Sequence, residues 1–187
     1  MRKFAFTAII LLFSCLGSYP AMADIELFGG NPLFEAIKAN NTTEVESLLA
    51  RDQNAEVEDC DRRRPLIYAA LLGSADIVDL LINHKVEINH RDKLGNSALF
   101  YATKQGEVDI IELLIDAGAD KNSVNRQGLT PLMAAASAGL LDAVQLLISR
   151  GADPKRRDYT GRTALMWAQW NRRNAVVRAL HRVGVCE

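Results

Sequence analysis

Three histidines, three cysteines and 23 acidic residues are the side chains with which this 187-residue chain could do chemistry. Histidine and cysteine could hold a metal, or supply a nucleophile and its base, if spacing brought them together. His84, His90 and His181 share no metal-ligand spacing and fall at helix ends or in turns, which reads as surface histidine. Cys60 and Cys186 have no CxxC partner. Apart from Gly29-Gly30 the glycines stand singly, so no glycine-rich loop is built to cradle a phosphate. The acids either recur at one structural position or lie on solvated faces. No nucleophile, base and orienting group converge, so the chain does not read as an enzyme, and no catalytic, cofactor-binding or metal-binding residues are assigned. A pI near 6.3 gives no general case for nucleic acid.

The elements that carry these side chains recur. Leu33, Leu66, Leu99, Leu132 and Leu165 are each 33 residues apart. Three residues after each comes Ala36, Ala69, Ala102, Ala135 and Ala168. Gly73, Gly106 and Gly139 follow in register, as do the pairs Leu80-Leu81, Leu113-Leu114 and Leu146-Leu147, with Leu48-Leu49 displaced by one. Gly118-Ala119-Asp120, Gly151-Ala152-Asp153, then Asp92, Asn125 and Asp158, then Gly95, Gly128 and Gly161 complete the unit. A fixed period of this length is the signature of a stacked repeat.

Local chemistry predicts helix–turn–helix in each unit. Ser97, Thr130 and Thr163 are N-caps whose hydroxyls accept from the first free N–H groups. Pro131 follows where its missing N–H costs nothing, and glycine ends each helix in the left-handed conformation. The second helix, for example 109–117, places Ile110, Leu113 and Leu114 on one face. The stretch 120–128 is turn-rich and predicts a protruding finger.

Units of this length bearing Thr-Pro-Leu, Gly-Ala-Asp and Asp-x-x-Gly-x-Thr resemble the ankyrin repeat. Thr130-Pro131-Leu132-Met133-Ala134-Ala135-Ala136 is similar to that family's Thr-Pro-Leu-His-x-Ala-Ala, with Met133 in place of His. The resemblance covers residues 31–187 and implies an all-α solenoid of five repeats, near 31–60, 64–93, 97–126, 130–159 and 163–187. Arg62 and Lys85 stand where the family prefers Gly, which predicts less regular turns in repeat 2. Repeat 1 reads as carrying an extra residue near Thr42-Thr43. Repeat 5 has Asn171-Arg172-Arg173 in place of its first-helix Gly. Repeats 1 and 5 read as caps, with Arg172, Arg173, Arg178, His181 and Arg182 on a polar outer face.

Ahead of the repeats lies a different kind of segment. Arg2 and Lys3 precede an apolar run from Phe4 to Leu16; Pro20 then leads to Ala21-Met22-Ala23, with Asp24 next. This order reads as a secretory signal peptide spanning 1–23, cleaved between Ala23 and Asp24, with 24–30 a short extension. Leu12-Phe13-Ser14-Cys15 offers the alternative of a lipoprotein anchored at Cys15, although Phe13 fits that pattern poorly. The expected location is the periplasm of a bacterium.

Two cysteines in an oxidising compartment suggest a disulfide. Position argues otherwise, since three to four repeats separate Cys60 from Cys186. At about 8–10 Å per packed helix the gap far exceeds the roughly 7 Å that a disulfide allows.

The resemblance places partner binding on the fingers and on the concave face of the first helices. The positions there that the scaffold leaves free hold Asp61, Arg63, Leu71 and Leu72 beside Cys60 in repeat 2. Repeat 3 contributes Lys93, Leu94, Asn96, Lys104 and Gln105. Repeat 4 contributes Arg126, Gln127 and Leu129, with Ser137 and Ala138, and repeat 5 Tyr159, Arg162, Trp170 and Asn171, with Thr160. A stripe of Leu71, Leu72, Leu94, Leu129, Tyr159 and Trp170 suggests a protein partner. Packing of Leu71 and Leu72 between repeats is the competing explanation. Charge is also polarised. Residues 24–61 hold ten acids and two bases, whereas 154–187 hold two acids and eight bases. Solvated caps explain this as well as orientation of a charged partner does.

The expected function is therefore non-catalytic protein binding, with no cofactor, small-molecule substrate, nucleic acid or membrane anchor. The chain resembles small exported bacterial ankyrin proteins, which implies an accessory or protective partner of an exported enzyme such as a catalase. The alternatives are an inhibitor or immunity protein against a secreted hydrolase such as a phospholipase, and a secreted effector that binds a host protein.

Overall fold

The computed structural model describes residues 30–51 and 54–184. The signal-peptide reading, its cleavage site Ala23–Asp24, Cys15 and Cys186 lie outside the described residues. Contacts divide the chain between Asn31 and Pro32, and the repeats form the second unit. Among the described residues ten helices form five pairs and there is no strand. The pairs are α1 (Pro32–Lys38) with α2 (Thr42–Ala50), α3 (Pro65–Leu72) with α4 (Ala75–Asn83), and α5 (Ala98–Gln105) with α6 (Val108–Asp116). α7 (Pro131–Ala138) pairs with α8 (Leu141–Ser149), and α9 (Ala164–Trp170) with α10 (Asn174–Arg182). First helices pack mainly on first helices and on their own partners, and second helices do likewise, giving a two-layer solenoid.

Helix starts follow the expected caps. Ser97, Thr130 and Thr163 accept from the backbone N–H of Phe100, Met133 and Met166 at 3.3, 3.2 and 3.3 Å. Repeat 2 has Arg64 at this position and no side-chain cap. The core follows the leucine register: all five anchor leucines are at most 3% exposed. The alanine register beside them is buried too, because neighbouring first helices approach too closely for a larger side chain. Each anchor stabilises the stack by about 1.5–3 kcal/mol.

Three sequence expectations are corrected. Arg62 and Lys85 do not loosen repeat 2: at φ 59° and 58° they adopt the left-handed conformation that glycine holds one repeat later. Arg172 does the same at φ 56° in the register of Gly139, as does Asn40 at φ 51° in repeat 1. Stacking imposes the turn, against a cost of about 1–2 kcal/mol per residue. Nor does repeat 1 carry an insertion. α2 begins 33 residues before α4, and Leu48 occupies the buried place of Leu81 while Leu49 takes that of Ile82. In α6 the buried face is Ile110, Ile111 and Leu114, with Leu113 only half-buried, because α4, α5 and α8 all flank this helix.

The fingers are held by one side chain per repeat. Asp59, Asp92, Asn125 and Asp158 each accept, through one Oδ1, the backbone N–H groups two and four residues ahead at 2.8–3.0 Å. Successive fingers are then joined by main-chain bonds, Lys93 N–H to Asp61 O at 2.8 Å, Arg126 N–H to Leu94 O at 3.0 Å and Tyr159 N–H to Gln127 O at 3.3 Å. Lower down, Asn89 and Asn122 accept from the N–H groups of Asp120 and Asp153 in the next repeat at 2.8 and 2.9 Å.

Candidate partner-binding face

The first helices of repeats 3 to 5 and their fingers frame a groove of about 580 Å³. Its floor is Met133 and Ala134 of α7, its walls are Phe100 of α5 and Trp167 of α9, and Leu94 and Leu129 form its lip. One aromatic side chain of α9, which lines the groove, and one of α5, which does not, are held by their fingers. Trp167 donates Nε1–H to Asp158 Oδ2 at 2.9 Å, and Tyr101 donates its hydroxyl to Asp92 Oδ2 at 2.6 Å. The Asp92 partner and burial together raise the Tyr101 pKa, burial contributing most. For Asp158, burial pushes the pKa up, but hydrogen bonds from Thr160, Arg162 and Trp167 outweigh it and hold the carboxyl below the usual aspartate value.

Beside the groove the Arg162 guanidinium lies 5.1 Å from the Trp167 ring centroid and 4.8 Å from that of Trp170. Stacking of this kind fixes all three side chains, each contact being worth about 0.5–1 kcal/mol at an exposed site. Trp170 is 70% exposed and Tyr159, on the last finger, 73%. Tyr159 needs Gly128: a Cβ there would come within 2.7 Å of the Tyr159 backbone N.

Known proteins match on these same repeats. A family model for ankyrin repeats, three copies in length, matches residues 7–92, 33–125, 72–158 and 99–185. The chain belongs to the ankyrin-repeat family. An ankyrin repeat protein of Acanthamoeba polyphaga mimivirus is 37% identical over 71 residues, which is 38% of this chain and 9% of that protein. Ankyrin repeats are protein–protein interaction modules and typically non-catalytic.

In ankyrin register, the structure brings nine of the sequence-derived positions to the groove: Leu94, Asn96, Lys104, Arg126, Gln127, Leu129, Ser137, Ala138 and Asn171. Asn96 is buried at 6% exposure, and its amide bonds to both Tyr101 and Asn125, so it is a strut beneath the surface. Asn171 reaches across to the Ser137 hydroxyl at 3.0 Å. Tyr159, Arg162 and Trp170 form the adjoining aromatic edge, and Lys93 is exposed on its finger. The repeat 2 positions lie elsewhere. Arg63 is tied to Asp59 and Asp61 at 2.8 and 3.1 Å, Leu71 is half-buried, and Leu72 is 46% exposed. Gln105 spans repeats by donating to the Leu71 carbonyl at 3.2 Å.

Sequence reasoning missed Phe100, Asn125, Met133, Ala134, Trp167 and Arg173 as groove residues. The available signal was a run of small side chains. Down the first helices one column reads Tyr68, Tyr101, Ala134, Trp167; the next two read Leu71, Lys104, Ser137, Trp170 and Leu72, Gln105, Ala138, Asn171. Repeat 4 alone is small at all three positions.

The opposite end is closed by charge. Arg64 contacts Glu56 and Glu87, with Glu58 at 3.4 Å, and so ties the first two repeats together. His90, expected on the surface, is buried beside this cluster, with Nε2 2.9 Å from the Arg62 carbonyl. His84 and His181 are exposed. Cys60 is an exposed free thiol on its finger. Among the described residues no three His, Cys, Asp or Glu side chains are grouped to hold a metal, and no helix is long and apolar enough to cross a membrane.

Proposed function

We propose that this is an exported binding protein whose first-helix face over repeats 3 to 5 grips another exported protein. The observation that carries this reading is the exposed aromatic edge, Tyr159 and Trp170, set against a preformed groove on a surface where the scaffold requires neither ring. Aromatic and Arg anchors of this type dominate interface energetics. Export rests on the layout of residues 1–23, which makes Asp24 the first residue of the mature protein and the periplasm its location.

The test is cross-linking of the tagged protein in intact cells, followed by osmotic shock and N-terminal sequencing. The expected result is a shock-released chain beginning at Asp24 with one partner attached. The partner should be lost when Tyr159→Ala and Trp170→Ala are combined, a change worth about 2 kcal/mol or more. A catalase or other protective enzyme as partner supports an accessory role, and a phospholipase-like hydrolase an inhibitory one. A chain beginning at Met1 or carrying lipid on Cys15 refutes export as a free protein, and undiminished capture by the double variant moves the binding surface off this face.

A further inference from the structure

The groove over repeat 4 is a hole left by three missing side chains. Each column of the first helices is large on both sides of α7, with Tyr101 and Trp167 flanking Ala134, and Lys104 and Trp170 flanking Ser137. α7 is as long as α5, and its finger is bonded to the fingers on both sides, so what the neighbours fill stays open there. Trp167 and Tyr101 cannot fold into the space, because Asp158 and Asp92 hold their polar ends at 2.9 and 2.6 Å. Arg173 is fixed too, donating Nε–H to the Ser137 carbonyl at 3.1 Å. A cavity with pinned walls is preorganised, and its size falls in the range of about 300–1,000 Å³ typical of ligand sites.

Its charge is one-signed. Lys104, Arg126 and Arg173 are the charged residues that line it, and no carboxylate does. Neither Lys104 nor Arg126 has an ion-pair partner among the described residues. The apolar floor and this cationic rim ask for complementary features in whatever enters.

We propose that the groove receives one large apolar side chain from an acidic segment of the partner protein, seated over Ala134, with flanking carboxylates meeting Lys104, Arg126 and Arg173. This deepens the binding reading above and rests on it. The occupant is a peptide segment because the space opens along the fingers at Leu94, Arg126, Gln127 and Leu129, as an extended chain requires. The exposed Gln127 offers its side-chain amide to the main chain of that segment.

The test is selection of a random 12-residue peptide library displayed on phage against the immobilised protein, then fluorescence anisotropy with the enriched peptides. Expected are peptides bearing Phe, Trp, Leu or Met within two residues of Asp or Glu. Ala134→Tyr should weaken them at least tenfold while leaving Tm within a few degrees. Repeat 3 already carries Tyr101 at that position, and the new hydroxyl can accept from Asn125. Ala138→Leu, which copies Leu72 of repeat 2 at an exposed position, should weaken them as well. Lys104→Glu with Arg126→Glu should abolish binding and its salt sensitivity. Enrichment of neutral or basic peptides, or equal binding by Ala134→Tyr, overturns the proposal. So does self-association of the wild-type chain that Ala134→Tyr abolishes, which would make a second copy the occupant. Equal affinity for free indole-3-acetate would make the groove a small-molecule site and also overturn it. If Ala134→Tyr still captures the cellular partner and the Tyr159/Trp170 double variant does not, the groove fails while the wider face stands. If neither variant matters, both readings fail.

Discussion

Repeats 2 and 4 share a backbone and differ in how they hold it. Repeat 4 has the family's preferred residues at its cap and turns: Thr130 caps α7, Pro131 opens it, and Gly128, Gly139 and Gly151 take the left-handed positions. Repeat 2 has Arg64 at the cap, and Arg62 and Lys85 in left-handed turns. What it lacks locally it recovers through long-range ion pairs, Arg64 with Glu56, Glu58 and Glu87. The repeat with the better scaffold has the emptier surface, since Ala134, Ser137 and Ala138 leave its face hollow. Scaffold positions and surface positions therefore vary independently, which lets a repeat be hollowed without losing its fold.

The largest expected effect should be the same in both repeats. Leu66 and Leu132 are 3% and 1% exposed, so truncating either to alanine should cost about 2–5 kcal/mol in urea denaturation. A cost below about 1 kcal/mol for one of them would show that repeat 2 or 4 is not part of the continuous core. Smaller, and unequal in mechanism, are the losses at the helix start. Arg64→Met should cost about 1–2 kcal/mol, between exposed and buried ion pairs, and that cost should shrink in high salt. Thr130→Ala should cost about 1 kcal/mol and be indifferent to salt. Equal salt dependence would erase the distinction between the two repeats.

Turns give a smaller contrast with opposite signs. Gly118 has φ 91° and open space where a Cβ would go, so Gly118→Ala isolates backbone strain and should destabilise by about 1 kcal/mol. Lys85, one repeat earlier in that register, is exposed. Lys85→Gly should stabilise by about 0.5–1 kcal/mol, the strain relieved less the entropy glycine adds to the unfolded chain. Destabilisation by Lys85→Gly would mean that the lysine side chain contributes contacts that outweigh its backbone.

The stack was legible in the sequence because its determinants are local or strictly periodic: leucine and alanine every 33 residues, a hydroxyl before the first helices of repeats 3 to 5, a turn residue after them. The overstated irregularities of repeats 1 and 2 came from treating glycine as a requirement where neighbouring repeats impose the turn. His90 was misplaced because its burial depends on the Arg62 carbonyl 28 residues away. Exposed positions such as Leu94, Tyr159 and Trp170 could be read by subtracting what the scaffold needs. The groove could not be read that way, since Ala134 looks like one more helix former until set beside Tyr101 and Trp167. The Arg162 stack joins a finger to a helix and has no signature in spacing alone.

The smallest effect turns on one atom of the finger. Asn125 holds its turn with an amide where Asp59, Asp92 and Asp158 use carboxylates, so the turn itself needs an acceptor and no charge. The charge matters for the second oxygen. Asp158 Oδ2 accepts from Trp167, and the carboxyl lies below the usual aspartate value because these hydrogen bonds outweigh its burial. A folded-state pKa below the unfolded value of about 3.9 means that protonation favours unfolding. The contribution of Asp158 is thus complete above that pH and is lost as pH falls through its folded value. Asp59, lowered by bonds from Arg63 and Asp61 against its own desolvation, adds a loss of the same sign in repeat 2. Asp158→Asn makes repeat 5 like repeat 4 and points an N–H group at the Trp167 N–H. That variant should be less stable at pH 7, flatter between pH 5 and pH 3, and altered in tryptophan emission, because both tryptophans of the chain, Trp167 and Trp170, lie in this repeat. Urea titrations across that pH range, followed by circular dichroism and by tryptophan fluorescence, separate the global loss from the local one. An unchanged acid slope in the variant would show that the carboxylate at Asp158 is no more consequential than the amide at Asn125.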